Sequence, residues 1–559
     1  MAVSSGQGAS PYIVDQGPKP VVSGRAVVST GNPIVTETAL GILGAGGNAA
    51  DAAIAAAMVQ ASVEPHLTSH AGMVSCLYYD AASNQVHQLN SLGQLPYDLP
   101  PFRPINGVGG WAREGQPGPQ AAIPGFMPGL GALHERFGTL AWPDLCADAI
   151  RWAANGHPVS SFEYGVNIFA APFFSYFEEA RDLFMPNGFL PPVGTTTANP
   201  LLAETLQAVA EEGPDHFTQG AWAREFVAAG NRLGWPVRMD HMTANPPRWQ
   251  VPLAFAHKGH EVVSLAPPER QAVFCAFVLG VLEALGIDEM EPFGADHLFY
   301  MSHALRLGDH NCGFLHDPGF FEDAATPLMD PDYHRQVARI LKASRPRVDL
   351  TEHVRLVSGP SAMAAAGWNS ASSKAPVGSC EISIVDAAGN WVQMMNTIQS
   401  GGIPGMAVGG VMMMGSHEQT SMSAHFSNWR VKGARMRNIL GNTFVMKGGR
   451  PWLALGTPGN VYATVAQMLV NILDFGMSPP EASDAPRMLP LTDDYQLLVE
   501  SRIAPEAILG VTALGLRLQP MPKWDWNQGS FQMCWANLES GQLNAHADFR
   551  RTGRAAALN

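Results

Sequence analysis

The sequence predicts an α+β protein: one sandwich in which helices flank sheets supplied by both halves of the chain. Three observations lead there. Near the N-terminus a helical run of small residues, 49–63, precedes two strand-like stretches. From about 128 to 350 the periodicity is mainly helical, broken by Pro/Gly turns such as Pro191-Pro192-Val193-Gly194. Residues 379–559 are richer in strand signals yet carry a helix over 461–475. Helices and sheets that each bury one face are satisfied by stacked layers around a shared core.

The elements follow in order. Residues 1–24 are rich in Gly, Pro and Ser and read as a loosely held arm. Thr36 is a candidate N-cap for a short helix to Leu43, closed by Gly46-Gly47-Asn48. Ala49 to Val63 is a second helix, and Glu64-Pro65-His66 stops it. Met73 to Asp80 reads as a buried strand and Gln85 to Asn90 as its hairpin partner. Residues 358–378 are rich in Ser, Ala and Gly and read as an exposed linker. After it, Glu381, Ser383 and Val385 alternate with Ile382, Ile384 and Asp386, the period of a strand. Ala387-Ala388-Gly389-Asn390 is turn material, and Trp391 to Met395 resumes an apolar run. Further strands are expected over 410–414, 443–446 and 451–455, and Gly456-Thr457-Pro458-Gly459-Asn460 leads into the helix 461–475.

Composition narrows the function. The chain has 559 residues, 46% hydrophobic and only 15% charged, which is a globular balance. Its net charge of −14, with no Lys/Arg run, argues against a nucleic-acid partner. Cys76, Cys146, Cys275, Cys312, Cys380 and Cys534 show neither CxxC nor Cys/His spacing, so no zinc site or disulfide framework is expected. The N-terminus lacks a basic segment followed by an apolar one, and no run of about 20 apolar residues exists. The expectation is a cytoplasmic protein with no membrane partner, no metal and no cofactor.

Gly378-Ser379 carries the chemistry. Serine is a poor nucleophile at neutral pH unless a base lies within hydrogen-bond reach. A break of the Gly378–Ser379 bond would give Ser379 a free α-amine, which titrates at about 7.7–8. One residue would then supply nucleophile and base. A strand that starts at this serine and returns through a tight turn brings Thr397 back beside it. An ordinary buried hairpin is the competing reading of the same segment.

Four strings then resemble, in order, the γ-glutamyltransferase (γ-glutamyltranspeptidase) family. They are GGNAADAAIAAAMVQASVEPHLTSHAGMVSCLYYD (46–80), AAIPGFMPGLGALHERFGTLAWPDLCADAI (121–150), GSCEISIVDAAGNWV (378–392) and GTPGNVYATVAQMLVNILDFGMSPPEASDAPRM (456–488). The resemblance implies an N-terminal-nucleophile (Ntn) hydrolase with a four-layer αββα sandwich. It also implies a precursor that cuts itself into a large subunit, 1–378, and a small one, 379–559. The family nucleophile, usually threonine, lies seven residues before the Asp of the strand motif; counting back from Asp386 gives Ser379. Cys380 would serve if the cut fell one residue later. The second family threonine matches Thr397, and the two oxyanion-binding glycines match Gly459 and Asn460.

The departures concern substrate. The family arginine that holds the α-carboxylate of a γ-glutamyl group is replaced by Leu92, which cannot make a bidentate contact. The acidic residue for the α-amine falls at Glu418-Gln419, the paired serines at Asn438-Ile439, and the asparagine beyond the second threonine at Gln399. The glycine tract after Pro65 is thinned to Ser69-His70-Ala71-Gly72. Glu418, one position away, or Arg435 and Arg437 offer replacement polar contacts. The reading that follows is an amidohydrolase or acyltransferase acting on a small-molecule amide that is not γ-glutamyl. A true γ-glutamyltransferase and a non-cleaving, non-catalytic binder or scaffold are the alternatives. The subunits of one precursor are the expected partners, and a homo-oligomer stays open.

Overall fold

A computed structural model describes residues 19–93, 97–99, 122–313, 315–344, 379–398, 406–413, 431–435, 440–490 and 496–559. Fourteen of its strands build two seven-stranded sheets. In chain order they are β1 Val22–Gly24, β2 Ala26–Thr30, β3 Met73–Asp80, β4 Gln85–Ser91, β5 Arg248–Gln250, β6 Leu253–His257, β7 His260–Ser264, β8 Cys380–Val385, β9 Trp391–Thr397, β10 Thr443–Lys447, β11 Arg450–Gly456, β12 Gln532–Ala536, β13 Leu543–Ala547 and β14 Arg554–Leu558. One sheet runs β1-β13-β12-β11-β10-β7-β6 and the other β14-β2-β8-β9-β3-β4-β5. Every neighbouring pair in both sheets is antiparallel.

Alternation along the strands sets the layers, because a strand's side chains point to opposite faces in turn. Ile382, Ile384, Val392, Met394, Val74 and Cys76 share one apolar cluster with the helices Pro33–Gly44, Ala49–Val63 and Phe126–Phe137. The other sheet packs against the helices Gln271–Leu285, Ala295–Cys312 and Val461–Leu473. The inner faces meet through apolar side chains such as Leu77, Trp391 and Met395 on one sheet and Leu453 and Met533 on the other, with polar bridges among them. Ser29 Oγ donates to Gln532 Oε1 (2.7 Å), and Asn442 Nδ2 donates to the Ser75 and Gln393 carbonyls (2.9 and 3.0 Å). Two sheets face to face with helices outside form the αββα sandwich.

Local chemistry explains the element that supports the nucleophile strand. The helix Ala49–Val63 is buried along its whole length and opens with a capping box between Asn48 and Asp51. Its alanines keep the helix thin enough to lie close against β8 and β9. Asp386 Oδ2 accepts the Ala49 amide (2.9 Å), and Asp386 Oδ1 accepts the amides of Ala388 and Asn390 (both 2.9 Å). One carboxylate therefore closes the β8–β9 turn and caps the helix start.

Four expectations change. The first helix begins at Pro33, with Asn32 as its cap, not Thr36: the Asn32 side chain accepts the Ile34 amide, and Pro33 is pre-set for the first turn. Val22–Gly24, inside the expected arm, is an edge strand paired with β13. Within the helical middle, β5, β6 and β7 join the two sheets. Of the strand expected over 410–414, Val411–Met412 forms a two-stranded ribbon with Ala407–Val408. The expected linker 358–378 lies outside the described residues.

Candidate active site

Ser379 stands immediately before β8, and the register that pairs Cys380 with Asn396, carried one residue on, sets it opposite Thr397 at the end of β9. The Ser379 hydroxyl donates to Thr397 Oγ1 at 3.0 Å. Both residues are buried, Ser379 7% exposed and Thr397 0%. The Ser379 amide donates to the Leu67 carbonyl (3.3 Å), which also accepts the Ile398 amide (3.2 Å). The turn after the helix Ala49–Val63 therefore grips both strands where they end. Gly72 sits so close to the Thr397 carbonyl that a Cβ would collide with it.

The neighbouring cysteine points the other way. Cys380 Sγ donates to Glu64 Oε2 at 3.5 Å and packs with Leu67, Phe162, Val166 and Trp526. Burial, followed by the Glu64 carboxyl, pushes its thiol well above the ordinary range. Burial also raises Glu64 itself, which accepts from Gln60 Nε2 at 3.0 Å. A buried thiol held protonated is a poor nucleophile.

The loop after β11 is shaped by a turn 70 residues further on. Gly459 has φ +87, and a Cβ there would come within 2.7 Å of the Asn527 carbonyl and 2.8 Å of the Gly529 nitrogen. Only glycine meets both conditions without strain. The Asn460 amide donates to the Asn527 carbonyl (3.1 Å), and Thr457 Oγ1 accepts the Ser530 amide (2.8 Å). Asn460 thus spends its N–H on the turn.

Of the sequence-derived head-group residues, Gln399, Glu418, Gln419 and Asn438 lie outside the described residues, as does Gly378. Leu92 is buried, in the same apolar cluster as Met73. Met73 pairs with Thr397 across β3 and β9, so a methionine continues the row that starts at Ser379 and Thr397, and Leu92 follows directly on β4, whose Ser91 pairs with Val74. Arg435 donates its guanidinium to the Asn245 and Pro246 carbonyls, and its amide donates to Asp317 Oδ2 (2.8 Å). It is committed to that loop. Among the described residues no cluster of three or more His, Cys, Asp or Glu side chains is placed to hold a metal ion.

Sequence reasoning missed the groups around the nucleophile. Arg551 Nη1 donates to the Ser379 carbonyl at 3.2 Å and its Nε to the Trp526 carbonyl at 3.4 Å. The signal available was Arg550-Arg551, two adjacent arginines in a charge-poor chain. The neighbouring Arg550 is wholly buried and satisfied by Glu500 (2.7 Å from both Nε and Nη2) and Asp548.

A sandwich of two antiparallel sheets between helical layers, with a hydroxyl residue opening a central strand, defines the N-terminal-nucleophile type of hydrolase. The gamma-glutamyltranspeptidase family profile matches residues 35–558, and the chain belongs to that family. It is 24% identical to the glutathione hydrolase-like YwrD proenzyme of Bacillus subtilis, over 97% of this chain and 100% of that protein. It is also 24% identical to the Acylase ACY 1 proenzyme of a Pseudomonas species (strain V22), over 97% of this chain and 95% of the other. Among solved structures, cephalosporin acylase from Bacillus halodurans superposes with a TM-score of 0.81 at 21% identity, over 97% and 98% of the two chains. The protein is an enzyme of this hydrolase and acyltransferase family. No helix among the described residues is long and apolar enough to cross a membrane.

Proposed function

We propose that the chain is a proenzyme that cuts itself between Gly378 and Ser379, giving subunits 1–378 and 379–559, and then works as an amidohydrolase or acyltransferase. The observation that carries this reading is the Ser379 Oγ to Thr397 Oγ1 hydrogen bond of 3.0 Å at the head of a central strand. Ser379 Oγ attacks the amide carbonyl of the substrate and its proton passes to the Ser379 α-amine. The oxyanion is held by the loop at Gly459 and Asn460, where one backbone donor is worth roughly 3–4 kcal/mol. The C–N bond breaks and the leaving amine takes the proton. Water, or a second amine, then attacks the acyl ester and restores the serine. Using the Asn460 amide as a donor requires giving up its bond to Asn527.

The acyl group in this reading is not γ-glutamyl. Leu92 stands where the family arginine would meet an α-carboxylate, and Met73 pairs with Thr397, so this side of the site is apolar. The head-group candidates Gln399, Glu418, Gln419 and Asn438 remain part of the proposal from sequence. A relative named an acylase supports a wider acyl range, and one named glutathione hydrolase-like keeps the γ-glutamyl reading as the second choice.

Intact mass with N-terminal sequencing tests the core of this. Two fragments, the smaller starting Ser379-Cys380-Glu381, are expected, and Ser379→Ala should give one uncut chain without turnover. A wild-type chain that stays whole would favour the non-catalytic binder. Rapid release of p-nitroaniline from γ-glutamyl-p-nitroanilide would favour the second reading.

A further inference from the structure

Ser379 has φ +102, a backbone region that residues with a Cβ rarely occupy and hold only when their surroundings fix them. Its hydroxyl and amide are held by Thr397 and Leu67, as described above. Its carbonyl is held from the far end of the chain, by Arg551. That side chain is 4% exposed and lies against the rings of Phe162 (5.2 Å) and Trp526 (5.5 Å). By donating to the Trp526 carbonyl as well, it ties the nucleophile to the turn that supports Gly459 and Asn460.

We propose that Arg551 is a positioning residue: its guanidinium fixes the Ser379 backbone and sets a permanent positive charge beside the α-amine that cleavage would free. The proposal rests on the reading of Ser379 as an N-terminal nucleophile. A cation close to an amine disfavours the ammonium form. The freed amine then stays unprotonated, and able to take the hydroxyl proton, at lower pH than an ordinary α-amine.

Several titratable groups face that charge. Burial lowers the Arg551 guanidinium to about 10, so it is still a cation at neutral pH. From the helix Ala49–Val63 side comes Glu64, whose carboxyl burial raises. Cys380 contributes a protonated thiol. Asp525 is pushed up to about 7 by burial, and Asp548 is taken by Arg487 and Arg550. From the helix Ser161–Phe174 side, Glu163 is paired with His157 (3.1 Å), and burial lowers His66 to about 4, leaving it neutral. Lys19 adds a second cation nearby, through its bond to the Arg551 carbonyl (2.8 Å).

Competitive labelling with acetic anhydride, read from the mass of the peptide that begins at Ser379, titrates this amine directly. In the matured wild-type enzyme its apparent pKa is expected below the ordinary α-amine value of about 7.7. In Arg551→Met it should lie about one pH unit higher, because a nearby charge moves a pKa by at least that much. The acid limb of p-nitrophenyl acetate turnover should move with it, and Arg551→Lys, which keeps the charge, should restore the lower value. A wild-type amine at or above the ordinary value overturns the proposal without any variant having to fold. So does a matured Arg551→Met enzyme whose amine titrates unchanged, or an Arg551→Lys enzyme that behaves like the methionine variant. A wild-type chain with no new N-terminus at Ser379, seen by intact mass before labelling, sinks the N-terminal-nucleophile reading itself and this proposal with it.

Discussion

Replacing Gly459 with alanine probes the oxyanion loop through backbone geometry alone. At φ +87 an alanine costs about 1–2 kcal/mol, because its Cβ crowds the following carbonyl. The new Cβ would also lie 2.7 Å from the Asn527 carbonyl oxygen, 2.8 Å from the Gly529 nitrogen and 3.0 Å from the Gly529 Cα. All three are backbone atoms, so the turn has to retreat by about half an ångström to reach ordinary contact. The Asn460–Asn527 hydrogen bond stretches or breaks, for about 1 kcal/mol more. A total of about 2–3 kcal/mol, spread over the unfolding entropy of so long a chain, lowers Tm by only about 2–3 °C. Turnover should fall far more, by about 10²–10³ in kcat, if a donor is displaced from the reacting carbonyl. The assay is Ser379-dependent hydrolysis of p-nitrophenyl acetate beside a thermal melt. Gly448→Ala is the control: it has φ +60 with open space around it, so it carries the strain without the collision. If Gly459→Ala kept kcat within about twofold of that control, this loop would not supply the oxyanion donors, since a donor displaced by that distance costs more than tenfold.

Three further outcomes are expected. Thr397→Val keeps the volume and removes the partner of the Ser379 hydroxyl, so the acylation burst should slow about tenfold with Tm little changed; an unaltered burst would count against Thr397. Leu92→Arg should raise hydrolysis of γ-glutamyl-p-nitroanilide relative to p-nitrophenyl acetate, at a cost in stability because Leu92 is buried; a variant that is destabilised but has unchanged preference would detach this position from the acyl site. Asp525 is pushed up to about 7 by burial, with the Glu500 charge adding to it. Its contribution to stability is therefore fully present below the unfolded carboxylate value of about 3.9 and is lost as pH rises through about 7. Asp525→Asn should flatten the urea midpoint over that window, and a variant retaining the full decline would refute the assignment.

What the sequence made legible follows from how local the signals are. The β8–β9 hairpin was readable because alternation, turn residues and a terminal hydroxyl pair all lie within 20 residues, and the register puts Ser379 opposite Thr397. The bounds of the helix Ala49–Val63 were readable from Asn48 and Pro65 at its ends. Strands β6 and β7 were not, because β6 is Leu-Ala-Phe-Ala-His, whose alanines read as helix formers, and because β7 pairs with β10, some 180 residues away. Leu92 is marked by its place in a motif, while nothing local in the sequence marks Arg435 as held by the distant Asn245 and Pro246 carbonyls. Arg551 meets Ser379 across 172 residues, and no spacing rule connects them.

The order of strands bears on how this protein is made and unmade. Five of the strand pairings in the two sheets join a strand from before residue 378 to one from after it: β1 with β13, β10 with β7, β14 with β2, β2 with β8, and β9 with β3. Before a cut, these seams close within one molecule and folding is independent of concentration. After a cut the same seams belong to two chains, and the cores cannot form until the chains meet, at the translational cost of any association. The mature form would then be easy to lose and hard to regain. Unfolding it releases two fragments, each with sheet edges that lack their neighbours, and such edges pair with whatever is near. The precursor, in this view, carries the instruction to fold once, and cleavage erases it.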